Sequence, residues 1–198
     1  MIAALDWISV AANVRWLEYV TKPGFMLALI ALALVVHPII PAERTFFVFA
    51  LAFGLVSDVF LMVPQDLFLF GLAAALVEHL AYIAGFRTRE LHVGYLVAAV
   101  AIASVSVVVI VPPIYKALSR DHAKLVAPVI AYVAVFVVMV ASAGGTGSLI
   151  AFAGALLFFY SDAILAWNRF VKPLPFGRVV NIVPYHLGEA LLVLSLAS

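Results

Sequence analysis

The chain has 198 residues, of which 67% are hydrophobic and 11% charged, with a formal net charge of +1 and no cysteine. A soluble domain is about 45–50% apolar and about 25% charged, so this excess of apolar surface excludes a single aqueous core and points to an integral membrane protein. The near-neutral charge offers no footprint for nucleic acid, and the absence of cysteine excludes disulfides, thiolate catalysis and Cys-ligated metal.

The opening stretch MIAALDWISV carries Asp6 and no basic residue, so it does not read as a cleaved signal peptide and is expected to be retained. Hydrophobic runs broken by Pro, Gly or charge then give eight candidate spans, each near the roughly 20 residues that a membrane helix needs. The first, residues 2–20, is interrupted by Asp6, Arg15 and Glu18. The second starts at Pro23 and ends at Val36, before His37-Pro38. The third runs from Arg44 to Val63, and the fourth from Asp66 to Phe86, with the polar loop Arg87-Thr88-Arg89-Glu90 after it. The fifth runs from Leu91 to Val111 and is expected to stop at Pro112-Pro113. The sixth covers Asp121 to Ala141, and Gly144-Gly145-Thr146-Gly147 is a turn. The seventh covers Ser148 to Asn168, and a basic loop leads to the eighth, Val180 to Ala197. Runs of β-branched residues such as Ser104 to Val111 are still helical, because lipid leaves the backbone no partner outside its own segment.

The expected fold is therefore an all-α polytopic membrane helix bundle of about eight transmembrane helices, forming a single transmembrane domain over residues 1–198. Loops after the odd-numbered spans hold Lys22, Lys116, Arg120, Lys124, Arg169, Lys172 and Arg178, whereas the opposite side holds Arg44, Arg87 and Arg89. This asymmetry puts the first group in the cytoplasm and both termini outside. Similar elements recur roughly one hundred residues apart: Pro23 and Pro128, Asp58 and Asp162, His79 and His186. The spacing predicts a parallel internal repeat of four spans.

Two aspartates dominate the chemistry. Asp58 lies in GLVSDVFLMVP and Asp162 in GALLFFYSDAILAWNRF, and both read S-D-x-x-L inside apolar helix. An ionisable group in a span costs roughly 2.5–3.5 kcal/mol on insertion scales, so such groups are functional by default. Each aspartate lies about 9 Å inside the same membrane face, at 1.5 Å per residue. Tyr185, His186 and Glu189 fall in the half of the eighth span that starts on that face, and Glu18 and Tyr19 end the first span there. Glu78, His79 and Tyr82 lie deeper, with Tyr82 on one helical face with Glu78 and His79. A structural alternative pairs the aspartates with Arg15 or Lys22. Arg169 and Lys172 are either phosphate ligands or markers of topology, and Ser57 and Ser161 can bond back to their own helices. Ser161 lacks a G-x-S-x-G elbow. Glu78, His79, His186 and Glu189 could together ligate zinc, but no H-E-x-x-H or H-x-x-x-H is present, so no metal site and no cofactor is expected.

The pieces Lys22-Pro23, GLVSDVFLM (Gly54 to Met62), FLFG (Phe68 to Gly71), EHLAY (Glu78 to Tyr82), PVIAY (Pro128 to Tyr132), Gly154 to Phe170 and YHLGEALL (Tyr185 to Leu192) together resemble the YhhN-like membrane family, which includes the animal lysoplasmalogenases. Relatives often have Gly-Asp where this chain has Ser57-Asp58, and Tyr and Gln in the last span where this chain has Tyr185-His186 and Glu189. The resemblance implies hydrolysis of the vinyl-ether bond of a lysoplasmalogen, or of a related lysolipid or ether lipid, to a fatty aldehyde and a glycerophospho-headgroup. It implies no metal. The partners it implies are the lysophospholipid and the bilayer, in the inner (cell) membrane of a bacterium.

Such a reaction needs a protonated acid, a negative charge near a developing cation and a base for water. Asp58 and Asp162 are the expected catalytic pair, with His79 or His186 relaying protons. Lys22, Glu78, Tyr82, Tyr132 and Ser161 are expected to contact substrate, together with Arg169, Lys172, Tyr185 and Glu189. A transporter or lipid-binding protein could use the same paired carboxylates as proton or ligand sites.

Overall fold

The structure is a computed structural model that describes residues 1–198. It is entirely helical: α1 (Ile2–Ala11), α2 (Arg15–Val35), α3 (Pro41–Met62), α4 (Phe68–Phe86), α5 (Val93–Asp121), α6 (Ala123–Gly145), α7 (Leu149–Ala166) and α8 (Gly177–Leu194). A π-helical turn, Trp167–Val171, prolongs α7, and a short 3-10 turn, Ser195–Ala197, closes α8. Seven of these helices are long and apolar enough to cross a membrane.

The first expected span is not one helix. Residues Ala12-Asn13-Val14 interrupt it, with Asn13 in the left-handed region at φ 58°. Asn adopts that conformation more easily than most residues because its short amide bonds locally. On the N-terminal side of the turn, α1 has 10 residues and rises only about 15 Å, half of the roughly 30 Å hydrocarbon layer. On its C-terminal side, Arg15 to Val20 is the first part of α2, so Arg15, Glu18 and Tyr19 begin a span rather than end one. α1 lies against α2 and α8, where Thr21 donates a hydrogen bond to the buried carboxylate of Asp6. Burial pushes the Asp6 carboxyl up from its ordinary value, against the opposing effect of that hydroxyl.

Two of the proline sites also act differently from expectation. Pro23 sits inside α2, and Pro112-Pro113 inside α5, which continues to Asp121 for 29 residues, whereas Pro128 lies inside α6 as the expected sixth span has it. Proline removes one backbone donor, a loss that neighbouring helices and side chains in a bundle can compensate. α5 is about 43 Å long, well over the hydrocarbon thickness, and its last turns carry Lys116 and Arg120 out toward the interface. The parallel repeat of four spans is not confirmed. Its first member would match the 10-residue α1 to the 29-residue α5.

Two helix hairpins anchor the bundle. In α7–α8 the backbones nearly touch: a Cβ on Gly188 would lie 2.8 Å from the Phe158 nitrogen and 2.9 Å from the Gly154 carbonyl. Small residues at such a crossing let van der Waals packing replace the hydrophobic effect, which is absent between helices in lipid. In α3–α4, Ser57 Oγ donates to the Gly71 carbonyl at 3.0 Å. An aromatic cluster fills the interior between them, with Phe47 edge-on to Tyr82 at 4.9 Å and to Phe86 at 5.3 Å. At the end opposite the basic loops, Arg89 pairs with buried Glu43 at 2.9 Å and donates to the Ser195 and Ser198 carbonyls. A cation there satisfies carbonyls that the end of α8 leaves free.

The seven spans alternate so that Arg15, Lys116, Arg120, Lys124, Arg169, Lys172 and Arg178 fall at one end of the bundle. The chain has no cysteine, so single cysteines report cleanly on this arrangement. Cysteines at Glu90 and Lys172, both exposed, are expected to react with an impermeant maleimide from opposite sides of the membrane. Reaction of both from one side would contradict the alternation of spans.

Candidate functional site

One cavity of about 250 Å³ opens at the basic end of the bundle. α2 contributes Lys22, α3 Asp58, α4 Glu78, α6 Tyr132, α7 Ser161 and Asp162, and α8 Tyr185. The two S-D motifs, from helices more than a hundred residues apart in the chain, therefore face the same space. Around them the wall is apolar, with Leu72, Phe136, Phe158 and Ile182 among the lining residues.

The two aspartates are held in different ways. Asp58 has a full charge partner: Lys22 Nζ lies 2.8 Å from Oδ1, and Tyr185 Oη donates to Oδ2 at 2.8 Å. The Lys22 ammonium also lies 5.4 Å from the centre of the Tyr185 ring. Asp162 has no cation partner. Its Oδ2 is hydrogen-bonded by Tyr132 Oη, and Tyr132 in turn shares a 2.8 Å hydrogen bond with His79 Nε2. His79 is fully buried behind Tyr132, with its ring 4.0 Å from that of Phe136. Asp162, Tyr132 and His79 thus form a chain of neutral-capable groups leading inward from the cavity wall.

A third layer lies deeper. Tyr82 Oη donates to Glu189 Oε2 at 2.6 Å, joining α4 to α8. The carboxyl groups of Glu78 and Glu189 are neighbours, and Oε1 of each is buried without a further partner. Of this layer only Glu78 reaches the cavity. Gly54 on α3 makes room for it, since a Cβ there would lie 2.3 Å from Glu78 Oε1.

Of the remaining expected site residues, Ser161 alone is at the cavity. His186 does not line the cavity; its Nδ1 accepts from Trp7 Nε1 at 3.1 Å, which fixes the proton on Nε2, facing Asp6 Oδ2 at 3.7 Å. Ser161 lines the cavity, but its hydroxyl donates to the Asn181 carbonyl at 3.0 Å, while Asn181 Nδ2 donates back to the Ser161 carbonyl at 2.8 Å. Arg169 pairs with Asp66 at 2.7 Å and lies 4.3 Å over the Phe68 ring, and it does not itself line the cavity. Lys172 is exposed and also outside it. No three His, Asp or Glu side chains converge as metal ligands. His79 and His186 have separate partners, which disperses the set that the sequence could have offered to zinc.

The cations at the mouth are Arg15 and Arg178, and Glu18 lies between them. Arg178 pairs with Glu18, and Arg15 approaches the same carboxylate at 3.6 Å. The signal for this mouth is a helical stripe. Arg15, Glu18 and Lys22 fall at i, i+3 and i+7 on α2, and Arg178, Asn181 and Tyr185 do the same on α8.

A polytopic helix bundle with a cavity toward one end, carboxylates in its apolar wall and arginines at its rim defines the class: a multi-span membrane protein with a polar site inside its helices. The family model of the YhhN family matches residues 17–196, and the chain belongs to that family. The chain is 34% identical over 151 residues to lysoplasmalogenase TMEM86B of Mus musculus, covering 74% of this chain and 61% of that protein. To lysoplasmalogenase TMEM86B of Homo sapiens it is 32% identical over 152 residues, with the same 74% and 61% coverage. To lysoplasmalogenase TMEM86A of Homo sapiens it is 30% identical over 203 residues, covering 93% of this chain and 80% of that protein. The chain thus spans about three fifths of the length of the TMEM86B relatives. No solved structure matches it.

The contact between Gly54 and Glu78 can be tested directly. Gly54→Ala is expected to lower stability by roughly 1–3 kcal/mol, the usual cost of overpacking, because the new methyl meets a carboxyl group confined beside Glu189. Gly94→Ala, where no atom lies within 4 Å of the new Cβ, serves as the control. Thermal unfolding in detergent measures both, and equal melting temperatures would show that Glu78 moves aside freely.

Proposed function

We propose that this protein is a hydrolase of the cell membrane that cleaves the vinyl-ether bond of a lysoplasmalogen, or of a related ether lysolipid, with its basic end in the cytoplasm. The observation that carries the reading is the asymmetry of the two aspartates in one cavity: Asp58 is paired with Lys22, and Asp162 is capped only by Tyr132. The relatives' name, lysoplasmalogenase, supports the same substrate class.

The chemistry derives from that asymmetry. A vinyl ether is cleaved by adding a proton to its β-carbon, which leaves an oxocarbenium at the carbon bonded to oxygen. Asp162, with no cation to hold it ionised, is the proton donor, and Tyr132 and His79 carry the inward hydrogen-bond chain behind it. Asp58, kept as a carboxylate by Lys22 and Tyr185, steadies the cation and takes a proton from the attacking water. The resulting hemiacetal loses its hydroxyl proton to the glyceryl oxygen as the C–O bond breaks, giving an aldehyde and the glycerophospho-headgroup. The proton gained by Asp58 balances the one given up by Asp162, and its return restores the site. Arg15 and Arg178 at the mouth bind the phosphate, and Glu18 gives way to it.

Asp162→Asn keeps shape and hydrogen-bonding reach but has no acidic proton. It is expected to lower turnover by at least about a hundredfold, the scale of a general acid–base step. It leaves no buried cation unpaired, so the variant should accumulate like wild type. Asp58→Asn should lose a similar factor while also destabilising the protein, because Lys22 loses its partner. The assay is aldehyde release by purified protein in detergent. A wild-type rate for folded Asp162→Asn would refute the paired mechanism, and lipid binding without any turnover would favour transport or lipid binding instead.

The phosphate assignment has its own signature. Arg178→Gln is expected to raise the Michaelis constant at least about fivefold with turnover nearly unchanged, as when uniform binding is lost. Arg169→Gln, outside the cavity, should change neither.

A further inference from the structure

Two stretches of the cavity lining carry exposed side chains, and they are of opposite character. One is the rim at Arg15 and Arg178, at the ends of α2 and α8. The other is apolar. Tyr115 on α5 and Ile130 on α6 both line the cavity, yet are 49% and 38% exposed. Tyr115 lies six residues before the end of α5 and Ile130 seven after the start of α6, so both sit roughly 9–10 Å inside the basic end. Both lie on the membrane side of Lys116 and Arg120, close to the level of Lys22 and Tyr132. Ile110, Ile114 and Val133 line the same stretch of wall, so this side is apolar apart from the Tyr115 phenol.

Size argues in the same direction. Ligand-enclosing pockets run from about 300 to 1,000 Å³ and bury most of a drug-sized molecule. A cavity of about 250 Å³ cannot enclose a long-chain lysolipid. A headgroup at the arginine rim and a vinyl ether at the aspartates would use up much of that space.

We propose that the exposed stretch of lining at Tyr115 and Ile130 is a lateral opening through which the aliphatic tail of the bound lipid runs back into the bilayer. The protein then recognises the headgroup and the first few carbons, while the rest of the tail never leaves the membrane. Methylenes left in lipid need no protein contact to replace their surroundings, so the site is indifferent to tail length beyond the opening. The inference rests on the lysolipid-hydrolysis reading of this cavity.

The test compares vinyl-ether lysolipids with tails from octyl to octadecyl, at fixed surface fraction in mixed micelles, and adds one long tail ending in a pyrene. The long tails should be turned over within about twofold of one another, and the pyrene-ended tail within about threefold of its unlabelled parent, since tail contacts with the protein end at the opening. Ile130→Trp narrows the opening. It should reduce the ratio of long-tail to octyl turnover at least about tenfold, the scale of a steric block to one ligand and not the other. Val108→Trp, on a 72% exposed position of α5 outside the cavity, should leave that ratio unchanged. A sharp cut-off in tail length, rejection of the pyrene tail, or an unchanged ratio in folded Ile130→Trp would overturn the lateral opening alone. Failure to cleave any vinyl-ether lysolipid would overturn the hydrolysis reading and this inference with it.

Discussion

The contact between Lys22 and Asp58 is the one on which the site depends. A carboxylate in hydrocarbon needs a cation or a proton, and a lysine in hydrocarbon needs an anion. The pair satisfies both, and in doing so makes the two aspartates unlike. Its geometry rests on α2 continuing as one helix through Pro23, the residue next to Lys22, so that the ammonium reaches across to α3 at mid-depth. A span that began at Pro23 would leave Lys22 in a loop at the interface and Asp58 without a partner.

Three of the buried carboxylates accept hydrogen bonds from phenols. Tyr185 serves Asp58, Tyr132 serves Asp162 and Tyr82 serves Glu189, each from a different helix. A tyrosine brings a hydrogen-bond donor without bringing a charge, and its ring packs against aromatic neighbours. Each phenol also ties two helices together: α8 to α3, α6 to α7, and α4 to α8. The polar groups of the cavity are therefore also cross-links of the bundle.

Much of this is legible in the sequence, for physical reasons that can be named. Hydropathy locates the long helices because lipid permits little else, and the cost of intramembrane charge singles out Asp58 and Asp162. The prolines mislead where water-based rules are applied to them, at Pro23 and at Pro112-Pro113. The first span fails because Asn13 breaks it, a local turn that apolar composition does not register. Arg169 and Lys172 draw notice as loop cations, but folding gives Arg169 to Asp66 and leaves Lys172 at the surface. Arg15 and Arg178 stand out in the sequence only as charges. Their place at the rim comes from helical stripes shared with Lys22 and Tyr185, which composition alone does not show. Spacing groups His186 with His79, yet one ring faces Trp7 and the other Tyr132.

The near-contact of the α7 and α8 backbones at Gly154 and Gly188 has a mechanical consequence. Two helices locked at that distance move as one stave, carrying Asp162 and Tyr185 together. α5, by contrast, presents Val105, Val108 and Val109 to lipid and meets α7 through one side-chain hydrogen bond, Ser106 to Tyr160 at 2.8 Å. The α5 wall of the cavity carries neither aspartate, so outward displacement of α5 alone would leave the spacing of the two aspartates intact.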